Sequence, residues 1–198
     1  MKAPGRPGTI GAVTRIVAGM LGGRRLVTPA GRGTRPTSDR VREALFSSLG
    51  TMLDLDGARV ADLYAGSGAL GFEALSRGAA HALFVESDAK AVAALRRNAA
   101  ALGVAEAARI VGAPVERALA AAPEEPYDLV VADPPYALGD DAVRGMLAAL
   151  VEYGWLAPDA VVVVERATRS GELPSVAGIA EVRARRYGET TLWYGRAS

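Results

Sequence analysis

The chain of 198 residues contains no cysteine and a single histidine, His81. The lack of cysteine excludes a disulfide scaffold and a thiolate metal site, and one histidine does not suffice for a histidine-based zinc site, so we expect no metal. No apolar run approaches the roughly 18 residues of a membrane-spanning helix, and there is no secretory signal. These absences predict a cytoplasmic protein without membrane contacts. The length predicts one domain, or one domain with a small appendage.

Acidic and basic residues nearly balance, at a net charge of +1, but they are unevenly placed along the chain. Residues 1–42 contain nine Lys or Arg residues and one acid, Asp39, so this segment carries +8 and the remainder −7. Such a charge split predicts an arm that binds a polyanion, attached to a neutral or acidic body. The alternatives are a solvated basic face and arginines that form ion pairs with the acidic body.

The first 52 residues differ in pattern from the rest of the chain. Residues 1–13 are rich in glycine and proline, which predicts a flexible tail. The short apolar and basic runs that follow predict a β-hairpin, and Ser38 is predicted to cap the helix after it. We therefore divide the chain into this tail, a basic hairpin-and-helix subdomain at 14–52 and an α/β domain at 53–198.

Segments with strand and helix patterns alternate through the α/β domain. Repeated alternation of this kind predicts a parallel, doubly wound sheet. The last two strands have no helix between them, so they predict an antiparallel hairpin that completes the sheet. The predicted strands span residues 60–64, 82–86, 109–111, 127–132, 161–165, 182–187 and 191–194.

A glycine-rich loop follows the first of these strands. Gly66, Gly68 and Gly71 satisfy the pattern G-x-G-x-x-G, with Ser67 between the first two, and Glu86 lies 20 positions after Gly66, at the end of the next strand. Glycines let the backbone approach a ligand closely, and the carboxylate accepts hydrogen bonds from ribose hydroxyls. The pattern predicts a site for a dinucleotide or for S-adenosylmethionine, and a plain strand–helix turn is the alternative.

Asp62 favours S-adenosylmethionine over a dinucleotide. It lies within the strand just before the glycine loop, where a carboxylate can accept the ligand's ammonium group, whereas it would repel a pyrophosphate. A structural carboxylate that caps loop amides is the alternative for this residue.

The second motif is Asp133-Pro134-Pro135-Tyr136, directly after the predicted strand 127–132. Two prolines end the strand ladder and free local carbonyls. Ligands of open α/β sheets bind at the carboxyl ends of strands, so Asp133 faces the glycine loop if the two strands are neighbours.

The motif suits methyl transfer to a planar amino group. Such a nitrogen is a poor nucleophile because its lone pair is delocalised. Asp133 and the Pro134 carbonyl can accept its two N–H bonds and hold a more tetrahedral geometry, while Tyr136 stacks on the base. This chemistry needs no metal, and it does not require Asp133 as a base.

Together these motifs resemble class I S-adenosylmethionine-dependent amino-methyltransferases, and more narrowly the RsmD-type ribosomal RNA guanine-N2 methyltransferases. The resemblance covers nearly the whole chain. The narrow match rests on RPTSDRVREALF at 35–46, DLYAGSGALG at 62–71, EALSRGA at 73–79 and RYGET at 186–190.

The resemblance implies a Rossmann-like, seven-stranded class I methyltransferase sheet with an N-terminal β-hairpin and helix extension. It implies S-adenosylmethionine as cofactor and 16S ribosomal RNA as substrate, in a small-subunit assembly particle, with the enzyme a monomer. Asp62, Gly66, Ser67, Gly68 and Glu86 are then expected to bind the cofactor. Asp133, Pro134 and Tyr136 are the expected catalytic residues. The expected substrate contacts are Arg24, Arg25, Arg35, Arg40, Arg42 and Pro135.

Several other functions remain open at this point. A DNA adenine-N6 methyltransferase would use the same Asp133 motif, although 198 residues leave no room for a separate DNA-reading domain. Protein glutamine methylation is less favoured, because those enzymes usually carry Asn at this position. A nicotinamide dehydrogenase would use the glycine loop and Glu86 but leaves the Asp133 motif unexplained, and a nonenzymatic RNA-binding module would leave both motifs unused.

Overall fold

The computed structural model describes residues 14–28 and 39–198. The predicted tail at 1–13, the predicted cap Ser38 and Arg35 lie outside the described residues. The elements, in chain order, are β1 (Thr14–Arg15), β2 (Arg25–Leu26), α1 (Asp39–Leu49), β3 (Arg59–Leu63), α2 (Ala69–Ser76), β4 (His81–Glu86), α3 (Ala89–Leu102), β5 (Ala108–Gly112), α4 (Val115–Ala118), β6 (Tyr127–Ala132), α5 (Asp140–Glu152), β7 (Leu156–Ala167), a 3₁₀ turn (Thr168–Ser170), β8 (Ile179–Tyr187) and β9 (Thr190–Ala197).

Seven strands form one twisted sheet in the order β5-β4-β3-β6-β7-β9-β8. The first five of this order run parallel, and β9 pairs antiparallel with both β7 and β8. The predicted α/β fold class and its seven strands are confirmed. All seven predicted strands are present. β7 begins earlier than the predicted 161–165, since Leu156 already pairs with Tyr127 before the register shifts.

The strand order reverses between β3 and β6, and this reversal positions the functional site. From β3 the chain moves outward through β4 to β5 and then returns to pair β6 on the other side of β3. In open α/β sheets the crevice for ligands lies at the carboxyl ends of the strands at such a switch point. The glycine loop after β3 and the Asp133 motif after β6 therefore meet at one edge of the sheet.

Helices cover both faces of the sheet. Alternate residues of each buried strand belong to opposite cores, so Val60 packs with α1, α2 and α3, whereas Ala61 and Leu63 pack with α4 and α5. Strands buried on both faces need continuous apolar sequence, which is what β6 and the centre of β7 contain. Among the described residues, no helix has the length and apolar content needed to cross a membrane.

The N-terminal hairpin docks on α2 and α3 through buried polar side chains. Glu73 accepts the N–H groups of Val17 and Ala18, at 2.6 and 3.0 Å. Asn98 accepts the Val27 N–H at 2.8 Å and donates to the Val27 carbonyl at 3.0 Å. The predicted hairpin is confirmed by the antiparallel pairing of β1 and β2, and it is part of the folded body rather than a free arm.

Candidate active site

The glycine loop crosses from β3 to α2 over the end of β4. The Gly66 N–H donates to Glu86 Oε2 at 2.9 Å, and the Ala65 N–H donates to the Val85 carbonyl at 3.0 Å. Tyr64, at the loop's start, has a φ of 61°, a value that non-glycine residues adopt at an energetic cost. The surrounding hydrogen bonds hold the loop in this conformation.

The glycines of the loop serve different purposes. A Cβ on Gly68 would lie 2.5 Å from Phe72, and one on Gly71 would lie 2.3 Å from Phe84, so both positions are restricted by internal packing. Gly66 has a φ of +55°, but a Cβ there would meet nothing closer than the Tyr64 carbonyl at 3.9 Å. The open space beside Gly66 leaves its backbone accessible to a ligand.

Asp62 is buried at the base of the loop, with 2% of its surface exposed. Its Oδ2 accepts the Gly71 N–H at 2.8 Å. Burial raises the pKa of Asp62 to about 8, the hydrogen bond from Gly71 opposes this, and the charge of Glu86 adds to it. One oxygen of Asp62 therefore caps a loop amide, which is the structural role given above as the alternative to ligand binding. Binding of a ligand ammonium by Asp62 stays a prediction.

Glu86 joins the glycine loop to the loop after β4. Besides the bond from Gly66, its Oε1 accepts the Asp88 N–H at 2.8 Å. These bonds hold the Glu86 carboxylate at the end of β4, between the two loops. Its contact with the ribose hydroxyls stays a prediction.

Asp133 follows β6 at the same edge of the sheet. Its N–H donates to the Leu63 carbonyl of β3 at 3.4 Å, which fixes it beside the start of the glycine loop. The pKa of Asp133 is raised well above its usual range, mainly by burial and further by the charges of Glu165 and Asp62. The predicted proximity of Asp133 to the glycine loop is thus confirmed.

The residues after Asp133 differ in exposure. Pro134 is buried, Pro135 is exposed, and Tyr136 is 49% exposed. A half-exposed tyrosine beside a partly buried carboxylate leaves an aromatic surface free to contact a planar ligand. The stacking role of Tyr136 and the substrate contact of Pro135 stay predictions.

The prediction that Arg42 contacts the substrate is wrong. Its side chain is fully buried, with Nη2 2.8 Å from Asp39 Oδ1 and Nε 3.8 Å from Glu73 Oε2, and Nη2 also donates to the Arg15 carbonyl. Two carboxylates therefore hold its charge inside the protein, which is the ion-pairing alternative.

The other predicted basic contacts lie at the surface. Arg24, Arg25 and Arg40 are exposed. Arg24 also donates to the Ala101 carbonyl near the end of α3, at 2.6 Å, so part of its hydrogen-bonding capacity is used within the chain. Arg35 lies outside the described residues.

Sequence reasoning missed three residues that build the site. Glu73 and Asn98 are buried polar residues that bind the hairpin, and Asn98 also donates to the Ser67 carbonyl at 3.0 Å, which links the hairpin to the glycine loop. Glu165, near the end of β7, adds a charge beside Asp133. The signal that could have found Asn98 is a single asparagine within an alanine-rich helix, which alone does not identify its partners.

The carboxyl groups of the crevice fit a cationic ligand. Asp62 interacts electrostatically with both Glu86 and Asp133, and Asp133 also with Glu165. S-adenosylmethionine carries a sulfonium and an ammonium group, which such carboxylates stabilise, whereas a dinucleotide pyrophosphate would be repelled. In the described part of the chain, no three His, Asp or Glu side chains are arranged to hold a metal ion.

Comparison with known proteins gives close relatives along most of the chain. The family model described as Conserved hypothetical protein 95 matches residues 14–196. The chain is 40% identical over 176 residues to ribosomal RNA small subunit methyltransferase D of Escherichia coli, covering 89% of this chain and 84% of that protein. It is 36% identical over 167 residues to the protein of the same name from Haemophilus influenzae, covering 83% and 84%.

Solved structures share the fold. The Escherichia coli protein yhhF superimposes with a TM-score of 0.84 at 34% identity, covering 94% of this chain and 99% of that one. An RNA methyltransferase from Salinibacter ruber, in complex with S-adenosyl-L-homocysteine, superimposes with a TM-score of 0.62 at 21% identity, covering 82% and 93%. The second likeness is one of fold alone.

Proposed function

This chain belongs to the Conserved hypothetical protein 95 family of RsmD-type methyltransferases, and from that premise we propose that it methylates the N2 amino group of a guanine in small-subunit (16S) ribosomal RNA. S-adenosylmethionine is the cofactor. The observation that carries the proposal is the position of Asp133, whose backbone bonds to β3 at the start of the glycine loop. One crevice therefore contains both the cofactor cradle and the acceptor for an amino group.

The cofactor side of the crevice is formed by Asp62, Gly66, Ser67, Gly68 and Glu86. Bound S-adenosylmethionine supplies an electrophilic methyl group on a sulfonium. Glu86 accepts hydrogen bonds from the ribose hydroxyls, and the second oxygen of Asp62 accepts from the ammonium group. The open space beside Gly66 lets the backbone approach the ligand. A positive charge in the crevice also lowers the pKa values of Asp62 and Asp133, so that both are ionised acceptors in the complex.

The substrate side is formed by Asp133, Pro134 and Tyr136. Asp133 and the Pro134 carbonyl accept the two N–H bonds of the guanine amino group, which turns its lone pair out of the ring plane and towards the methyl group. Tyr136 stacks on the base and fixes its plane. The nitrogen releases a proton to water after transfer, because the alkylated nitrogen is acidic.

The exposed arginines of the N-terminal subdomain form the proposed RNA surface. Arg24, Arg25 and Arg40 contact phosphates, and Arg35 belongs to the same basic segment. An rRNA substrate supplies its own shape for recognition. We place the enzyme in the cytoplasm, as a monomer, acting on a small-subunit assembly particle. The comparisons give no support to DNA methylation, dehydrogenase activity or a nonenzymatic role.

The test is methyl transfer by Asp133→Ala, with Asp56→Ala as the matched control. Asp56 is an exposed aspartate just before β3, at the amino ends of the parallel strands and so at the opposite end of the sheet from the crevice. Labelled S-adenosylmethionine is offered with undermethylated small-subunit particles or with duplex DNA, and the modified nucleotide is mapped. We expect label at a guanine N2 in the RNA, a loss of at least about a hundredfold for Asp133→Ala, and cofactor affinity by calorimetry close to that of the control.

Two results would contradict the proposal. Near-normal turnover of Asp133→Ala would remove this side chain from the chemistry. Methylation of duplex DNA but not of the particle by the unaltered protein would assign the enzyme to another substrate class.

A further inference from the structure

A second pocket lies beside the catalytic motif. It has a volume of about 380 Å³, within the roughly 300–1,000 Å³ of ligand-binding clefts. Three segments line it: the loop after β6, the end of β7 with its 3₁₀ turn, and the turn between β8 and β9. The lining residues are Tyr136, Ala167, Thr168, Arg169, Arg186 and Glu189. Because Tyr136 forms one wall, the pocket adjoins the crevice that contains Asp133.

Two arginine side chains, Arg169 and Arg186, line this pocket. Arg169 is exposed, and no hydrogen bond or ion pair ties its side chain to any described residue. Arg186 donates from Nε to the Gly188 carbonyl at 3.1 Å, which orients the side chain and leaves its two terminal amino groups to bind elsewhere. A guanidinium fork with free N–H groups matches the oxygens of a phosphate.

The crevice and the pocket therefore differ in the groups they present. The crevice contains the carboxyl groups of Asp133, Asp62 and Glu165, which suits a cationic cofactor. In the pocket, Arg169 and Arg186 outnumber the one acidic lining residue, Glu189, so the pocket suits an anion. A flipped-out nucleotide needs this division, because its base must reach the methyl group while its charged backbone stays outside the acidic crevice.

We propose that Arg169 and Arg186 bind an RNA backbone phosphate next to the target nucleotide. Both arginines lie towards the C-terminal end of the sequence. The charge excess of residues 1–42 therefore does not include them. The inference rests on the proposed function, because it requires an RNA nucleotide at Tyr136. It adds a second, local phosphate contact that positions the target base at Asp133.

The experiment compares Arg169→Ala and the double variant Arg169→Ala/Arg186→Ala with Arg144→Ala. Arg144 is an exposed arginine on α5 and controls for the loss of one positive charge. RNA affinity is measured for the small-subunit particle across a range of salt concentrations, together with KM and kcat for methylation and with cofactor affinity. Thermal unfolding checks that each variant is folded.

We expect RNA affinity to fall by roughly tenfold for the double variant, with a higher KM for RNA. The dependence of log affinity on log salt should become shallower by about 1 for each phosphate that the variant no longer binds. Cofactor affinity should match that of Arg144→Ala. Because no described residue bonds to its side chain, Arg169→Ala alone should show a smaller loss of the same kind without a change in folding.

The inference is overturned if both variants bind and methylate RNA as Arg144→Ala does, with the same salt dependence. That outcome leaves the proposed function intact, since methylation then proceeds without these arginines. If the unaltered protein fails to methylate RNA at all, the proposed function fails instead, so the two failures are distinguishable.

Discussion

Replacement of Glu73 by glutamine should strongly destabilise the protein. Glu73 is completely buried in α2, and its carboxylate accepts two hairpin amides, from Val17 and Ala18. The same carboxylate lies 2.9 Å from Arg77 Nε and 3.8 Å from the buried Arg42. Glutamine keeps the shape but loses the charge, and it presents an NH₂ group to a site that contains only donors.

The magnitude follows from these interactions. A hydrogen bond to a charged group contributes about 1.5–3 kcal/mol, and the NH₂ group of glutamine leaves at least one amide without its acceptor. Arg42 also loses one of two counter-charges, and removal of one partner of a buried ion pair typically costs about 3–5 kcal/mol. Asp39 still pairs with Arg42, so we expect a loss of about 3–5 kcal/mol rather than the sum of both terms.

Urea unfolding of Glu73→Gln, followed by circular dichroism, measures this loss, with Glu152→Gln as the control. Glu152 is exposed at the end of α5, where a change within about 0.5 kcal/mol is expected. Hydrogen exchange at the Val17 and Ala18 amides should accelerate in Glu73→Gln. A loss below about 1 kcal/mol, with both amides still protected, would refute the view that this carboxylate fastens the hairpin.

Two further predictions concern the glycine loop and Asp62. Gly71→Ala should destabilise the protein by about 1–3 kcal/mol, because the new Cβ would lie 2.3 Å from Phe84. Gly145→Ala is the control: this glycine lies in α5 with no atom within 4 Å of a Cβ, so the exchange should stabilise the protein by about 0.5–1 kcal/mol. Equal effects of the two exchanges in thermal unfolding would contradict this. The pKa of Asp62 is raised to about 8, so its contribution to stability is complete below about pH 4 and is lost as the pH rises to 8. Asp62→Asn should flatten that part of the stability profile without ligand, and an unchanged profile would contradict the burial argument.

Much of the fold could be predicted from sequence because its signals are local. The glycine loop depends on neighbours in the chain, and so do the ends of α3, where Asp88 accepts the Ala91 N–H and Gly103 is left-handed. The alternation of strands and helices also limits the sheet to a few arrangements. The antiparallel pairing of β8 with β9 follows the same logic, since two strands joined by a short turn pair antiparallel, whereas the position of β9 rather than β8 beside β7 does not follow from it.

The hydrogen bonds that fasten the hairpin could not be predicted, because they join residues far apart in the chain. Glu73 reaches Val17 across 56 positions, and Asn98 reaches Val27 across 71. Nothing near Glu73 in the sequence shows that its carboxylate is buried, since a glutamate in a helix is ordinarily exposed. The partners of Glu73 are identified only by the packing of α2 against the hairpin.

The arginines of residues 1–42 show that a count of charges in the sequence overstates the charge available at the surface. Arg40 and Arg42 are two positions apart on α1 and contribute equally to the excess of +8, yet Arg40 is exposed and Arg42 is buried. Residues two apart on a helix point about 200° apart, so one faces solvent while the other faces Glu73. Arg15 is exposed but lies 2.9 Å from Asp39, which reduces the charge it offers to RNA. The positive charge available to a polyanion is therefore smaller than the sequence count, and it depends on which helix face the buried acid occupies.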